Sequence, residues 1–386
     1  MKKIVGIIAA AALATSAFAE INIGSWNRAV FAPVAYNGDT LISAEGPSWG
    51  LTDVGGVRTG LSFSASSENA GMVFDFHGNP GKEIAMGDNA YTWVKPVEML
   101  TIKFGKMDNN WGRLDHCFGT WNYWRFSNDL SVGEGLAGVV RQNGLGAEVT
   151  LQPVEGLVID YEANFNKDES KGQDNHAYDV LWESSSTMIG YNASFGFIRA
   201  IINGQQATTY KAKDTDTKPA AKISLAADIT AIENLTLKIG ATIPTVLTKK
   251  DSNIQFGVGA DYNLDALALH ANVTAAILAK KINSDLDYEL GAFGVKAGVG
   301  IDYAFTDAWK LVTDVRFASW SKQNQDGEDL KYEDPRFGAY LGLEQNLSNA
   351  QFAFGAMFGK RSMSINYADG WDDFTFSVPF TMTVSF

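Results

Sequence analysis

The sequence is short of cysteine: Cys117 is the single one among 386 residues. A lone thiol forms no internal disulfide and builds no thiolate metal cluster. Positive charge is also in deficit, with 31 Lys+Arg against 44 Asp+Glu and a net charge of −13. That balance argues against electrostatic binding of nucleic acid or anionic lipid. Beyond the first residues, no stretch of 18 apolar residues runs without a charge, which excludes a bundle of membrane helices. Catalytic signatures are missing as well. The four histidines (His77, His116, His176 and His270) fall in no H-x-x-x-H spacing. No D-x-D-x-D-G calcium loop occurs. The expectation is a protein that is not an enzyme, with no metal and no cofactor.

Apolar residues, by contrast, are plentiful: 46% of the chain is hydrophobic, with 38 Gly, 23 Phe, 13 Tyr and 10 Trp. This is no disordered composition. The first 19 residues stand apart. Met1-Lys2-Lys3 is positive, Ile4 to Leu13 is apolar or small, and Ala17-Phe18-Ala19 fits a small-x-small cleavage site. Together they predict a signal peptide over 1–19 and a mature chain from Glu20. Removing the two lysines takes the net charge to −15. An exported chain with no second anchor is either soluble outside the cytoplasm or a β-barrel, whose polar interior keeps its mean hydropathy average.

Alternation decides between the two. In the last thirteen residues every even position is apolar: Phe374, Phe376, Val378, Phe380, Met382, Val384 and Phe386. The odd ones are small or polar, apart from Pro379, which removes a ladder donor and predicts a bulge or a missing bond. The same period returns at Leu157–Phe165, Leu235–Ile239, Leu267–Thr274 and Val295–Phe305. On the polar face stand Asp160, Glu162, Asp228, Asp261, His270 and Asp302. A soluble sandwich would turn its apolar face inward and needs far fewer residues to fill its core. A short repeat marks the turns: Lys95-Pro-Val-Glu-Met-Leu, Gln152-Pro-Val-Glu-Gly-Leu and Thr230-Ala-Ile-Glu-Asn-Leu. Tyr262-Asn-Leu-Asp-Ala-Leu and Phe305-Thr-Asp-Ala-Trp are looser copies. Each reads as a tight hairpin. Longer polar segments separate these hairpins, at 33–54, 108–135, 166–177, 208–219, 245–252, 279–287, 321–335 and 362–372. The pattern predicts an all-β, transmembrane antiparallel barrel over 20–386. It has about 18 strands, or 16 if one hairpin is lost, with short turns at one end and long loops at the other. Such a barrel leaves an aqueous lumen.

At this point the residues resemble bacterial outer-membrane porins. The chain ends on an aromatic, Phe386, at the close of an alternating strand. Arg141-Gln-Asn-Gly-Leu145 followed by Gln152-Pro153 is similar to the porin pattern of an Asn-containing strand leading through a Pro turn. By strand count, 108–135 is the third long loop, following the fifth strand. The resemblance implies an outer-membrane channel for small hydrophilic solutes and ions, with some saccharide preference. It implies that Phe386 is read by the barrel-assembly machinery, and that the third loop folds inward as a constriction. It is compatible with a homotrimer set in outer-membrane lipid. The third loop would then bring Asp115, Asp129 and Glu134 to the narrowest point, with Trp111, Trp121, Tyr123 and Trp124 offering ring faces to a solute. By parity Arg28 and Arg58 face inward on the opposing wall, as do Arg199 and Lys222. Opposed signs across a narrow gap set ion preference. A second class stays open: a surface-structural or adhesive barrel whose loops bind external molecules.

Overall fold

The computed structural model describes residues 20–36, 40–45, 57–78, 84–107, 144–164, 182, 185–211, 214–245, 254–281, 288–319, 335–360 and 374–386. The predicted signal peptide and the segment 108–135 lie outside these. The strands are β1 (Glu20–Tyr36), β2 (Leu41–Glu45), β3 (Val57–Ser66), β4 (Ala70–Gly78), β5 (Ala85–Val97), β6 (Leu100–Met107), β7 (Gly144–Leu151) and β8 (Leu157–Asn164). They continue as β9 (Ser185–Ala193), β10 (Gly196–Lys211), β11 (Asp214–Ile232), β12 (Leu235–Pro244), β13 (Ile254–Leu264) and β14 (Leu267–Lys281). The remainder are β15 (Tyr288–Ala304), β16 (Trp309–Ser319), β17 (Arg336–Asn346), β18 (Ala350–Lys360), β19 (Phe374–Ser377) and β20 (Phe380–Ser385). All belong to one antiparallel sheet.

That sheet closes on itself. On one edge β1 pairs with β3 from Glu20↔Ser66 to Ala29↔Val57. On the other it pairs with β20 from Trp26↔Ser385 to Phe31↔Phe380. The ends are tied as well: Phe386 N donates to Ser25 O at 2.8 Å, and Ser25 N donates to Phe386 O at 2.9 Å. A closed sheet has no edge with unsatisfied backbone groups, which is what a strand protein in lipid requires. β19 and β20 are one strand interrupted at Val378-Pro379. The interruption is small. Val378 N donates to Val34 O, and Pro379 O accepts from Gly355 N. Parity survives it, since Thr375, Ser377 and Thr381 are buried while Phe374 and Met382 are exposed. Counting β19–β20 once and setting β2 aside leaves a barrel of 18 strands; the alternative of 16 is discarded.

Two of the long segments need correction. Residues 33–54 are not one loop: β1 runs on to Tyr36 and β2 returns along it, Tyr36↔Leu41 to Phe31↔Glu45. Pro33 sits where the register shifts between Ala32 and Ala35, as expected for a residue without a ladder donor. Nor is 208–219 a loop. β10 and β11 stay paired out to Lys211↔Asp214, one hairpin with two residues at its tip.

The repeated hairpins hold. Their turns fall at 98–99, 152–156, 233–234, 265–266 and 305–308, all at the same end of the barrel. Three need a left-handed backbone, at Gly156 (φ 81°), Asn234 (φ 61°) and Asp265 (φ 45°). Glycine carries no Cβ penalty there, and Asn and Asp tolerate the conformation best among the rest. Each turn is also stitched to the next strand: Gln152 N donates to Met99 O, Asn192 N to Gly156 O, Asn263 N to Asn234 O and Ala304 N to Ala266 O.

The outer face is apolar. Val258, Leu269, Val273, Val299, Ile301, Val315 and Leu341 are exposed at alternate positions. Tyr191, Phe195, Tyr303 and Phe305 join them near the short turns; Phe293, Phe337 and Phe374 do so towards the other end. An apolar band rimmed by rings is the surface lipid selects. Phe31, Phe380 and Phe354 continue it across the seam, stacked at 5.5 and 5.9 Å between centroids.

Candidate functional site: the inner wall

The inner face alternates large side chains with glycines. A Cβ on Gly60 would lie 2.3 Å from the Trp26 ring, one on Gly71 2.5 Å from Trp93, and one on Gly190 2.4 Å from Phe197. Each ring lies flat over a bare stretch of the neighbouring strand, so these glycines are required by close approach rather than by a turn. The rings thereby stay against the wall instead of crossing the lumen.

Charges fill the remaining inward positions. Arg28 and Arg58 face inward as their parity predicts, but each is the other's cross-strand partner. Like charges in register repel. The pair is held by Trp26, whose ring centroid lies 5.8 Å from the Arg28 guanidinium carbon and 5.6 Å from that of Arg58. Arg58 Nη2 also donates to His77 Nδ1 at 2.5 Å, and His77 packs edge-on against Trp26 at 5.5 Å. Asp75, two residues from His77, accepts from the Asn89 backbone at 3.1 Å. This is a compact basic patch on β1, β3 and β4.

Further round, the wall is neutralised locally. Arg199 is 6% exposed, donates to Asp228 at 2.8 Å and lies 5.3 Å from the Phe197 centroid. Lys103 pairs with Glu148, beside the buried Asp160 and Glu162. The longest array crosses five neighbouring strands, β13 to β17. His270 Nδ1 donates to Asp261 at 2.6 Å, while Asp302 and Glu344 accept from Lys310 at 3.2 and 2.9 Å. Arg316 grips Asp314 at 2.7 Å one layer away. Within this array from Asp261 to Glu344 acids and bases alternate, so each of its buried charges has an opposite charge within 4 Å. Parity placed Asp160, Glu162, Asp228, Asp261, His270 and Asp302 inward; it did not show that His270 and Lys310 link the acids into a row.

Of the remaining predicted site residues, Asp115, Asp129, Glu134, Trp111, Trp121, Tyr123 and Trp124 lie outside the described residues. Phe386 is 77% exposed, on the outer face beside the seam. The segment 108–143 does follow the fifth barrel strand and precedes the sixth, so the loop order is as counted. No group of three His, Cys, Asp or Glu suited to a metal ion occurs among the described residues. The inward parity of one strand is testable directly. With Cys117 replaced, His270→Cys is expected to react with a membrane-impermeant thiol reagent, and Leu269→Cys, 36% exposed but facing lipid, to stay unlabelled. Reversed labelling would put the strand one residue out of register.

No family model matches the chain, and no curated protein matches it. Solved structures do. The outer membrane protein opdK from Pseudomonas aeruginosa is 10% identical, with 95% of this chain and 99% of that one covered and a TM-score of 0.53. Pseudomonas aeruginosa OpdL gives the same identity, coverage and TM-score. An anion-selective porin from Comamonas acidovorans is 12% identical over 95% of this chain and 100% of that one, at a TM-score of 0.48. At such identities the likeness speaks for architecture alone, and the architecture agrees with the closure, the two-faced strands and the turn–loop asymmetry: this chain has the fold of an outer-membrane porin-type β-barrel.

Proposed function

We propose that the protein is an outer-membrane porin, a water-filled channel for passive diffusion of small hydrophilic solutes and ions. The observation that carries this reading is the closed 18-stranded sheet with an exposed apolar outer face and a charged, locally neutralised inner one. Barrels of this strand number are too wide for side chains alone to fill. In this reading residues 1–19 are a leader removed on export, and Phe386 marks the last strand for the assembly machinery. The segment 108–135 folds into the lumen, carrying Asp115, Asp129 and Glu134 towards the Arg28–Arg58 wall. Its rings Trp111, Trp121, Tyr123 and Trp124 give apolar faces to a passing sugar. The assembly is a homotrimer in outer-membrane lipid. The protein performs no reaction and needs no cofactor.

The deciding experiment is conductance of the purified protein in a planar bilayer. Stepwise current increments in KCl support the channel. A correctly folded barrel that adds no conductance, yet binds external macromolecules through its loops, would favour the adhesive alternative.

A further inference from the structure

A cavity of about 660 Å³ lies at the short-turn end of the barrel, between the β5–β6 turn and the β7–β8 turn. The two turns are copies of one sequence, Lys95-Pro-Val-Glu-Met-Leu and Gln152-Pro-Val-Glu-Gly-Leu. Between them β6 and β7 pair from Leu100↔Leu151, and Gln152 N donates to Met99 O at 2.8 Å. The copies therefore stand side by side, with matched positions two strand spacings apart, about 9–10 Å. Lys95, Gln152 and Val158 share the inward parity of Trp93, Thr150 and Asp160, and Asn192 shares that of Gly190. Inward side chains and turn residues thus meet on the lumen side of the barrel mouth.

The lining is open and chemically mixed. Val97, Met99 and Val154 are 51%, 49% and 61% exposed. Glu98 and Glu155, at matched positions of the two copies, are exposed, and Lys95 is half-buried. Among the described residues no salt bridge takes in Lys95, Glu98 or Glu155, whereas on the wall Lys103 pairs with Glu148. The mouth thus holds one cation and two anions beside an apolar surface. An inorganic anion would meet two carboxylates there, and a sugar would leave the charges unused. A solute with an ammonium, a carboxylate and an apolar side chain matches every feature. Glu98 or Glu155 takes the ammonium and Lys95 the carboxylate, while the valines and Met99 take the side chain. The amides of Gln152 and Asn192 donate and accept, as a peptide bond requires. An extended dipeptide or tripeptide spans about 7–11 Å, which matches the separation of the turns, and the volume is that of a small-ligand pocket.

We propose that this cavity is a subsite for zwitterionic dipeptides and tripeptides with apolar side chains, at the short-turn mouth of the channel. The proposal rests on the channel reading and deepens it by naming a solute class. The test measures binding apart from conductance. The full-length protein in lipid nanodiscs is titrated by saturation-transfer NMR with Val-Val, with N-acetyl-Val-Val and with Val-Val amide. Each blocked form is expected to bind roughly three- to fivefold more weakly than Val-Val, the factor for one exposed ion pair. Lys95→Met is expected to weaken Val-Val by the same factor and to leave the amide unchanged, since the amide lacks the charge that Lys95 meets. Glu98→Gln with Glu155→Gln should weaken Val-Val and leave the N-acetyl form unchanged. The peptide series needs no substitution, so it carries the test if a variant does not insert. No saturable Val-Val signal, one affinity for all three peptides, or variants that weaken all three alike overturn the subsite. If the peptides follow the expected order while the protein adds no conductance in a planar bilayer, the channel reading falls and the pocket stands. A conducting protein with no peptide binding leaves the channel and removes the pocket.

Discussion

Shortening the segment 108–135 is expected to raise single-channel conductance, roughly twofold or more, because material in the lumen sets the narrowest cross-section. The second half of the expectation concerns ion preference. Arg199–Asp228, Lys103–Glu148, Lys310–Glu344 and Arg316–Asp314 neutralise each other on the wall. Charge in outer loops is screened beyond about 8–10 Å at ordinary salt. Neither these paired wall charges nor the formal net charge of −13 therefore sets the preference. What remains is the contest between the third-loop acids and the Arg28–Arg58 patch. The channel is expected to be weakly cation-selective, and Asp115→Asn with Asp129→Asn to move its reversal potential in a KCl gradient towards zero or past it. If the shortened loop changes neither conductance nor reversal potential, the constriction lies elsewhere.

Val299→Arg is expected to destabilise the barrel by about 2–4 kcal/mol, the cost of an arginine facing lipid near the bilayer midplane. Val299 is 58% exposed, in the middle of β15, with Ala271 and Val315 beside it in the sheet. Thr236→Arg is the matched control. Thr236 faces the lumen opposite Asp261, so the new guanidinium meets water and a carboxylate, and stability should change by less than about 1 kcal/mol. Urea unfolding in lipid vesicles separates the two. Equal costs at both positions would contradict the assignment of faces.

Both experiments depend on parity, and parity was readable along the chain. At 374–386 the alternating letters alone separated Phe374 and Met382, exposed, from Thr375 and Thr381, each 3% exposed. The reason is that lipid and water impose opposite demands on successive residues, so the environment is written at period two. The short turns were readable for a related reason. Asn234, Asp265 and Gly156 adopt positive φ, a local requirement that a few residue types meet. The far ends of β10 and β11 were missed because they run through polar sequence that lacks the alternation, and β2 because five residues are too few to show it.

Partnership between strands is of another kind. His270 meets Asp261 across a separation of 9 residues, and Arg28 stands against Arg58, because turn lengths set the register of each hairpin. The same holds for Trp26 over Gly60 and for Asn272 between Gly259 and Gly298. Composition and period, being local, settle that a residue faces inward and that a strand reverses. Which inward residues touch depends on the summed offsets of many turns and on the closing of β1 against β20, a long-range condition met only once the barrel has formed.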